Sequence, residues 1–212
     1  MKKLKTIIAP IYKKFFLDFD YILKRNLFDC ESILDLGCGH NSHIRFCDAK
    51  YKVGVELFDR YIKESQEKGI HNKYIKSDVT KVDFEPNSFD AIIMIDVLEH
   101  LKKEDALELI KKMNIWAKKK IIILTPNGFM HQENVDNNHL QDHLSGWEFE
   151  EFKKLGFDVY GINGLKHLRG DGALVKYKPV LFWIIISGLT QKIIYYFPKF
   201  AFHLYAIKNI KK

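Results

Sequence analysis

Glu31–Asn41, ESILDLGCGHN, decides how this chain is read. Ile33, Leu34 and Leu36 form a short apolar run, and Asp35, Gly37 and Gly39 close it. The pattern is a strand entering a glycine turn, with a helix expected next. Glycine lets the backbone bend sharply and approach a ligand closely. The N–H groups of such a turn favour an anionic ligand group. The next alternating run, YKVGVE (Tyr51 to Glu56), reads as a second strand ending in a carboxylate, 17 residues after Gly39. An acid at that tip of a βαβ unit faces the ligand crevice and can accept from both ribose hydroxyls. The third glycine of a dinucleotide site is missing, because Gly39 is followed by His40, Asn41 and Ser42. That counts against NAD and an oxidoreductase.

Strands and helical segments alternate on both sides of this unit, the pattern of a mostly parallel sheet covered on both faces. Strands are expected near 32–36, 51–56, 73–77, 90–95, 119–124, 157–162 and 200–208. Helices are expected near 42–48, 59–69, 103–117, 145–155 and 180–196. The predicted fold is one α/β domain over residues 1–212, with a helical cap at 1–30, a Rossmann-like core at 31–208 and a variable region at 165–198. The 212 residues are 47% hydrophobic and 29% charged, an ordinary globular balance with ample length for a core. Cys30, Cys38 and Cys47 show no C-x-x-C spacing, which fits a reduced compartment. No secretory signal is evident, and no apolar run reaches the ~18 residues of a membrane span. A cytoplasmic protein is expected, with the inner face of the membrane as a further location. The net charge of +7 permits an anionic partner.

Two more strand ends carry acids. NKYIKSDVT ends at Asp78 and Val79, beyond a carboxyl end where open α/β sheets bind ligands. FDAIIMIDVLEHL is a nearly unbroken apolar run, as in a doubly buried central strand, and it exits through Asp96, Glu99 and His100.

DLGCG, Glu56, Asp78-Val79 and FDAIIMIDVLEHL together resemble the class I S-adenosylmethionine-dependent methyltransferases, small-molecule type (methyltransferase type 11/12-like). The resemblance runs from about Glu31 to Lys208. It implies a three-layer, seven-stranded sheet in the order 3-2-1-4-5-7-6, with the last strand antiparallel. It implies S-adenosylmethionine as cofactor, held by Asp35, Gly37, Gly39, Glu56, Asp78, Val79 and Asp96. Asp78 would accept from the adenine amino group, and Asp96 would lie beside the methionine end. The N/D-P-P-Y/F signature of enzymes acting on exocyclic base amines is absent at Asp96–Glu99, so nucleic acid is disfavoured as acceptor. In ubiquinone-biosynthesis O-methyltransferases, residues similar to Asp96, Glu99 and His100 hold a divalent metal. The Glu-His pair is common without one, and no metal is expected here.

Residues 125–144 form a long polar loop carrying His131, His139 and His143, with Glu133, Asp136 and Asp142 among them. Loops of this length in a compact domain are usually functional or disordered. The spacing matches no strong metal pattern. Ser145 and Glu148 read as a capping box for a helix ended by Gly156. His143 is expected at the mouth of the pocket, and His143 or His100 is expected to take the acceptor's proton.

The last unusual stretch is PVLFWIIISGLTQKIIYYFP (179–198), apolar nearly all round. Three readings stand side by side: a helix buried over the sheet, a homodimer interface, and a segment in a membrane interface with aromatics and lysines at headgroup level. The expected activity is methyl transfer, at oxygen, to a small-molecule or lipid-linked acceptor. The alternatives are an RNA methyltransferase, or a non-catalytic cofactor-binding or membrane scaffold of the same fold.

Overall fold

The structure, a computed structural model, describes residues 18–132, 139–170 and 173–210. Seven strands are named β1 (Ser32–Leu36), β2 (Tyr51–Glu56), β3 (Lys73–Lys76), β4 (Phe89–Ile95), β5 (Ala117–Pro126), β6 (Asp158–Leu165) and β7 (Ala201–Asn209). The helices are α1 (Phe19–Asn26), α2 (Asp59–Glu67), α3 (Lys103–Trp116), α4 (Phe149–Lys154) and α5 (Val180–Tyr196).

The sheet order is β3-β2-β1-β4-β5-β7-β6, as the family resemblance implies. β1 to β5 pair in parallel, and β7 runs antiparallel between β5 and β6. Alternation along β1 explains the layering. Ile33 faces one apolar cluster with Phe19, Ile22 and Leu23 of α1. Leu34 and Leu36 face the other, with Leu109, Ile110, Met113 and Trp116 of α3 and Phe152 of α4. The central strand β4 is buried along Phe89–Met94, which accounts for its continuous apolar run.

Several boundaries differ from the sequence expectation. The helix expected at 42–48 is only a 3-10 turn, His43–Phe46, capped by Ser42 accepting from the Ile44 N–H. The capping box of α4 is formed by Glu148 and Glu151. Ser145 instead donates to the Leu98 carbonyl at 3.3 Å and accepts from Trp147 Nε1 at 3.0 Å. β5 begins at Ala117, two residues before the strand expected at 119–124, and takes in Lys118, Lys119 and Lys120. Pairing with β4 and β7 and salt bridges from Lys119 to Asp90 and Lys120 to Asp29 draw them into the sheet. The aromatic segment before residue 18, and Glu133 and Asp136 of the loop, lie outside the described residues.

Candidate active site

Parallel pairing puts the carboxyl ends of β1 to β5 on one edge of the sheet. The acids Asp35, Glu56, Asp78 and Asp96, each at or just past a strand end, therefore arrive at the same place. There they surround a cavity of about 530 Å³ lined by Asp35, Gly37, Gly39, Glu56, Asp78, Val79, Asp96 and His100. That volume suits a ligand of nucleoside size.

The glycine turn needs its glycines. Gly37 (φ +68°) and Gly39 (φ +56°) are both left-handed. A Cβ on Gly37 would run into Val97, while a Cβ on Gly39 would meet nothing within 4 Å, so its backbone is open toward the cavity. Glu56 is fixed by three backbone donors: Gly39 N–H to Oε2 (2.9 Å), and Leu57 and Phe58 N–H to Oε1 (2.8 and 2.9 Å). Asp35 is buried and accepts from Ser42 Oγ at 2.5 Å and bonds His71 Nε2 at 2.9 Å. Asp78 Oδ1 takes the Thr80 N–H and hydroxyl at 2.9 and 2.8 Å, an Asx-type turn that orients the carboxylate.

Asp96 is a strained residue of the site. It has φ +52°, uncommon for a non-glycine residue, and its N–H is held by the Leu124 carbonyl at 2.9 Å. This conformation ends β4 and leaves the carboxylate 48% exposed, toward the cavity. His203 Nε2 lies 3.6 Å from Asp96 Oδ1, and Asn163 Nδ2 lies 2.9 Å from His203 Nδ1. The antiparallel course of β7 explains His203: its N-terminal end lies at the edge where the parallel strands end, opposite Pro126. Burial pushes the His203 pKa below its usual value.

His100 lines the cavity, and His143 does not. The expectation of His143 at the pocket mouth is replaced by a place behind His100, with ring centroids 4.8 Å apart and edge to face. Leu144 and Ser145 N–H groups donate to the Glu99 carbonyl at 2.8 and 3.0 Å, stitching this loop end to the 3-10 turn Leu98–His100. His100 Nδ1 bonds the Asp142 carbonyl at 3.1 Å, and His143 Nδ1 bonds the Met130 carbonyl at 2.6 Å. A carbonyl only accepts, so each Nδ1 carries the proton and each neutral ring keeps its lone pair on Nε2. Burial lowers the His100 pKa from its usual value, which favours that neutral form.

Glu99 is buried, and its carboxylate accepts from the Thr125 hydroxyl at 2.9 Å. Burial first, and the neighbouring Asp96 second, push its pKa well above the carboxylate range. Glu99, His100 and His143 bring ligand atoms within 4.8 Å of one another. This trio differs from the Asp96, Glu99 and His100 set weighed from sequence, because the loop supplies His143 while Asp96 turns toward the cavity. Sequence reasoning missed Ser42, His71, Thr125, Asn163 and His203. Only Ser42 carried a local signal, as a cap before a short helix; Thr125, Asn163 and His203 reach the site from distant strands, and His71 from the loop before β3.

A methyltransferase-domain family matches residues 34–123, the stretch holding the glycine turn and the first four strand ends. A protein of Papaver bracteatum named "Probable (S)-tetrahydroprotoberberine N-methyltransferase 2" is 29% identical over 105 residues, 45% of this chain. The match takes in only 28% of that protein's length. Among solved structures, the plantazolicin methyltransferase BpumL in complex with SAH is similar at a TM-score of 0.56 and 16% identity, over 98% of this chain and 90% of that one. Phosphoethanolamine N-methyltransferase 1 of Haemonchus contortus, solved with phosphoethanolamine and S-adenosylhomocysteine, gives a TM-score of 0.54 and 10% identity, over 86% of this chain and 39% of that one. Residues 34–123 are thus similar in sequence to a methyltransferase domain, and the chain shares the fold of these solved methyltransferases.

Proposed function

We propose that this chain transfers the methyl group of S-adenosylmethionine to a hydroxyl oxygen of a small-molecule or lipid-linked acceptor. The observation that carries this is one cavity holding Glu56 and Asp78 at one side and Asp96 and His100 at the other. The residues fit the cofactor: two hydroxyls for Glu56, an amino group for Asp78, an open glycine backbone at Gly39, and a carboxylate near a cationic end at Asp96. When bound, it supplies a methyl group on a sulfonium.

The chain's own part is positioning and proton transfer. In-line transfer to oxygen would break the C–S bond as the O–C bond forms, with S-adenosylhomocysteine as the leaving group. Holding the reactants aligned is worth effective molarities on the order of 10⁵ M or more. His100 takes the hydroxyl proton on Nε2, while the Asp142 carbonyl keeps Nδ1–H in place. His143 packs against His100 and acts through it. No metal takes part in this scheme, so activity is expected to survive exhaustive chelation. Loss restored by magnesium would give Glu99, His100 and His143 a ligand role instead.

The test is calorimetric titration with S-adenosylmethionine, S-adenosylhomocysteine and NAD. Micromolar binding of the first two and none of NAD is expected. Absence of binding by either sulfur nucleotide would overturn the reading.

A further inference from the structure

α5 is built inside out. Its fully buried residues are Ser187, Gln191 and Ile194, two of them polar, and Tyr195 stacks on Tyr160 of β6 with ring centroids 4.6 Å apart. Gln191 accepts from the Gly164 N–H at 2.8 Å and donates to the Gly161 carbonyl at 2.9 Å. Ser187 accepts from Arg169 at 2.8 Å. The opposite side carries Leu181, Ile185, Leu189 and Ile193 at four-residue spacing, 50–71% exposed. Tyr196, Phe197 and Phe200 continue this apolar strip past the helix end, again more than half exposed. Soluble surface helices turn their apolar stripe inward, and monomeric proteins rarely leave a contiguous apolar patch this long in water.

The glycines of β6 show that this orientation is fixed by close fit. A Cβ on Gly161 would overlap the Ile194 carbonyl, and one on Gly164 would overlap Ser187 Oγ. The helix therefore sits tightly on the sheet by its polar side, and its apolar side is left to another medium.

Charge says which medium. After Asp171 the chain contains seven lysines and no aspartate or glutamate, so its whole excess of +7 lies in this last stretch. Lys176, Lys178 and Lys192 flank the apolar strip and are exposed, and Lys199, also exposed, pairs with Glu150 at 2.5 Å. Trp183 and Tyr196 add amphipathic rings of the kind that settle at headgroup level. No described helix is long and apolar enough to cross a membrane. A 17-residue helix, about 25 Å long, with an apolar face and basic flanks instead lies in the interface plane.

We infer that α5 seats this protein on an anionic lipid surface, its apolar strip among the acyl chains and its lysines against the headgroups. This inference stands apart from the methyl-transfer reading, since none of these residues lines the cofactor cavity.

The test uses the full chain with phosphatidylglycerol vesicles and phosphatidylcholine vesicles. Co-sedimentation with the first is expected, falling with added salt and weak with the second. Trp116 and Trp147 are buried, so a blue shift of tryptophan emission on binding reports Trp183. The variant Leu181→Ser with Leu189→Ser changes only exposed positions, and it is expected to keep its melting temperature and lose binding at least tenfold. Failure to sediment with anionic vesicles at low salt would overturn the inference. So would a dimer in solution that the same double variant dissociates, since a second copy would then cover the strip.

Discussion

The backbone N–H of Gly39 donates to Oε2 of Glu56 at 2.9 Å, tying the turn after β1 to the tip of β2. One carboxylate thus both orders the turn and faces the cavity. Under the proposed function, Glu56→Ala removes the carboxylate that would accept from two hydroxyls, each bond worth roughly 1.5–3 kcal/mol. The expected result is a rise of about 100-fold in the Kd for S-adenosylmethionine, read by calorimetry. A Kd within threefold of the native value would remove Glu56 from the cofactor set.

His100→Ala is expected to lower kcat by ~10²–10⁴-fold with cofactor affinity unchanged, as for loss of a general base. His143→Ala is expected to cost less, because its ring touches His100 and not the cavity. Equal losses from both would show that His143 handles the proton too. Near-native turnover in both would refute the base assignment.

The pH profile follows from burial. The folded His100 titrates below its usual value, so the base stays unprotonated to lower pH. The acid limb of kcat/KM is therefore expected at a midpoint below 6.5, and to vanish in His100→Ala. A midpoint above 6.5 would contradict a burial-depressed imidazole.

Glu99 gives a stability prediction of opposite sense. Its folded pKa is raised above the unfolded one, so its proton-linked stability is present at low pH and lost as pH rises through the folded value. Glu99→Gln keeps an acceptor for Thr125 and carries no charge. The variant is expected to melt higher than the native protein at pH 8, with the gap narrowing toward pH 5. A gap that does not depend on pH would mean that ionisation of Glu99 is not what costs stability.

Gly161→Ala tests the seat of α5. The new Cβ would lie 2.6 Å from the Ala201 Cβ and would overlap the Ile194 backbone. Overpacking of this kind costs about 1–3 kcal/mol, a fall of several degrees in Tm. An unchanged Tm would show that the helix yields easily, and so is not held in register by β6.

By itself the sequence determined the alternation of strands and helices, the glycine turn and the acids at Glu56, Asp78 and Asp96, while the strand order followed from the family resemblance. The first three are local signals: period-two alternation, closely spaced glycines, and a carboxylate at each strand tip. Parallel pairing then carries every tip to one edge without further information. Tertiary structure decided the rest. His203 and Thr125 join the site through β7 and β5, His71 reaches Asp35 from 36 residues away, and His143 is pinned behind His100 by a main-chain carbonyl. It also decided which way α5 faces. A helix apolar nearly all round has little periodicity to read, and the polar bonds of Ser187 and Gln191 to β6 and its neighbouring loop, with the close fit at Gly161 and Gly164, fix the side that is left exposed.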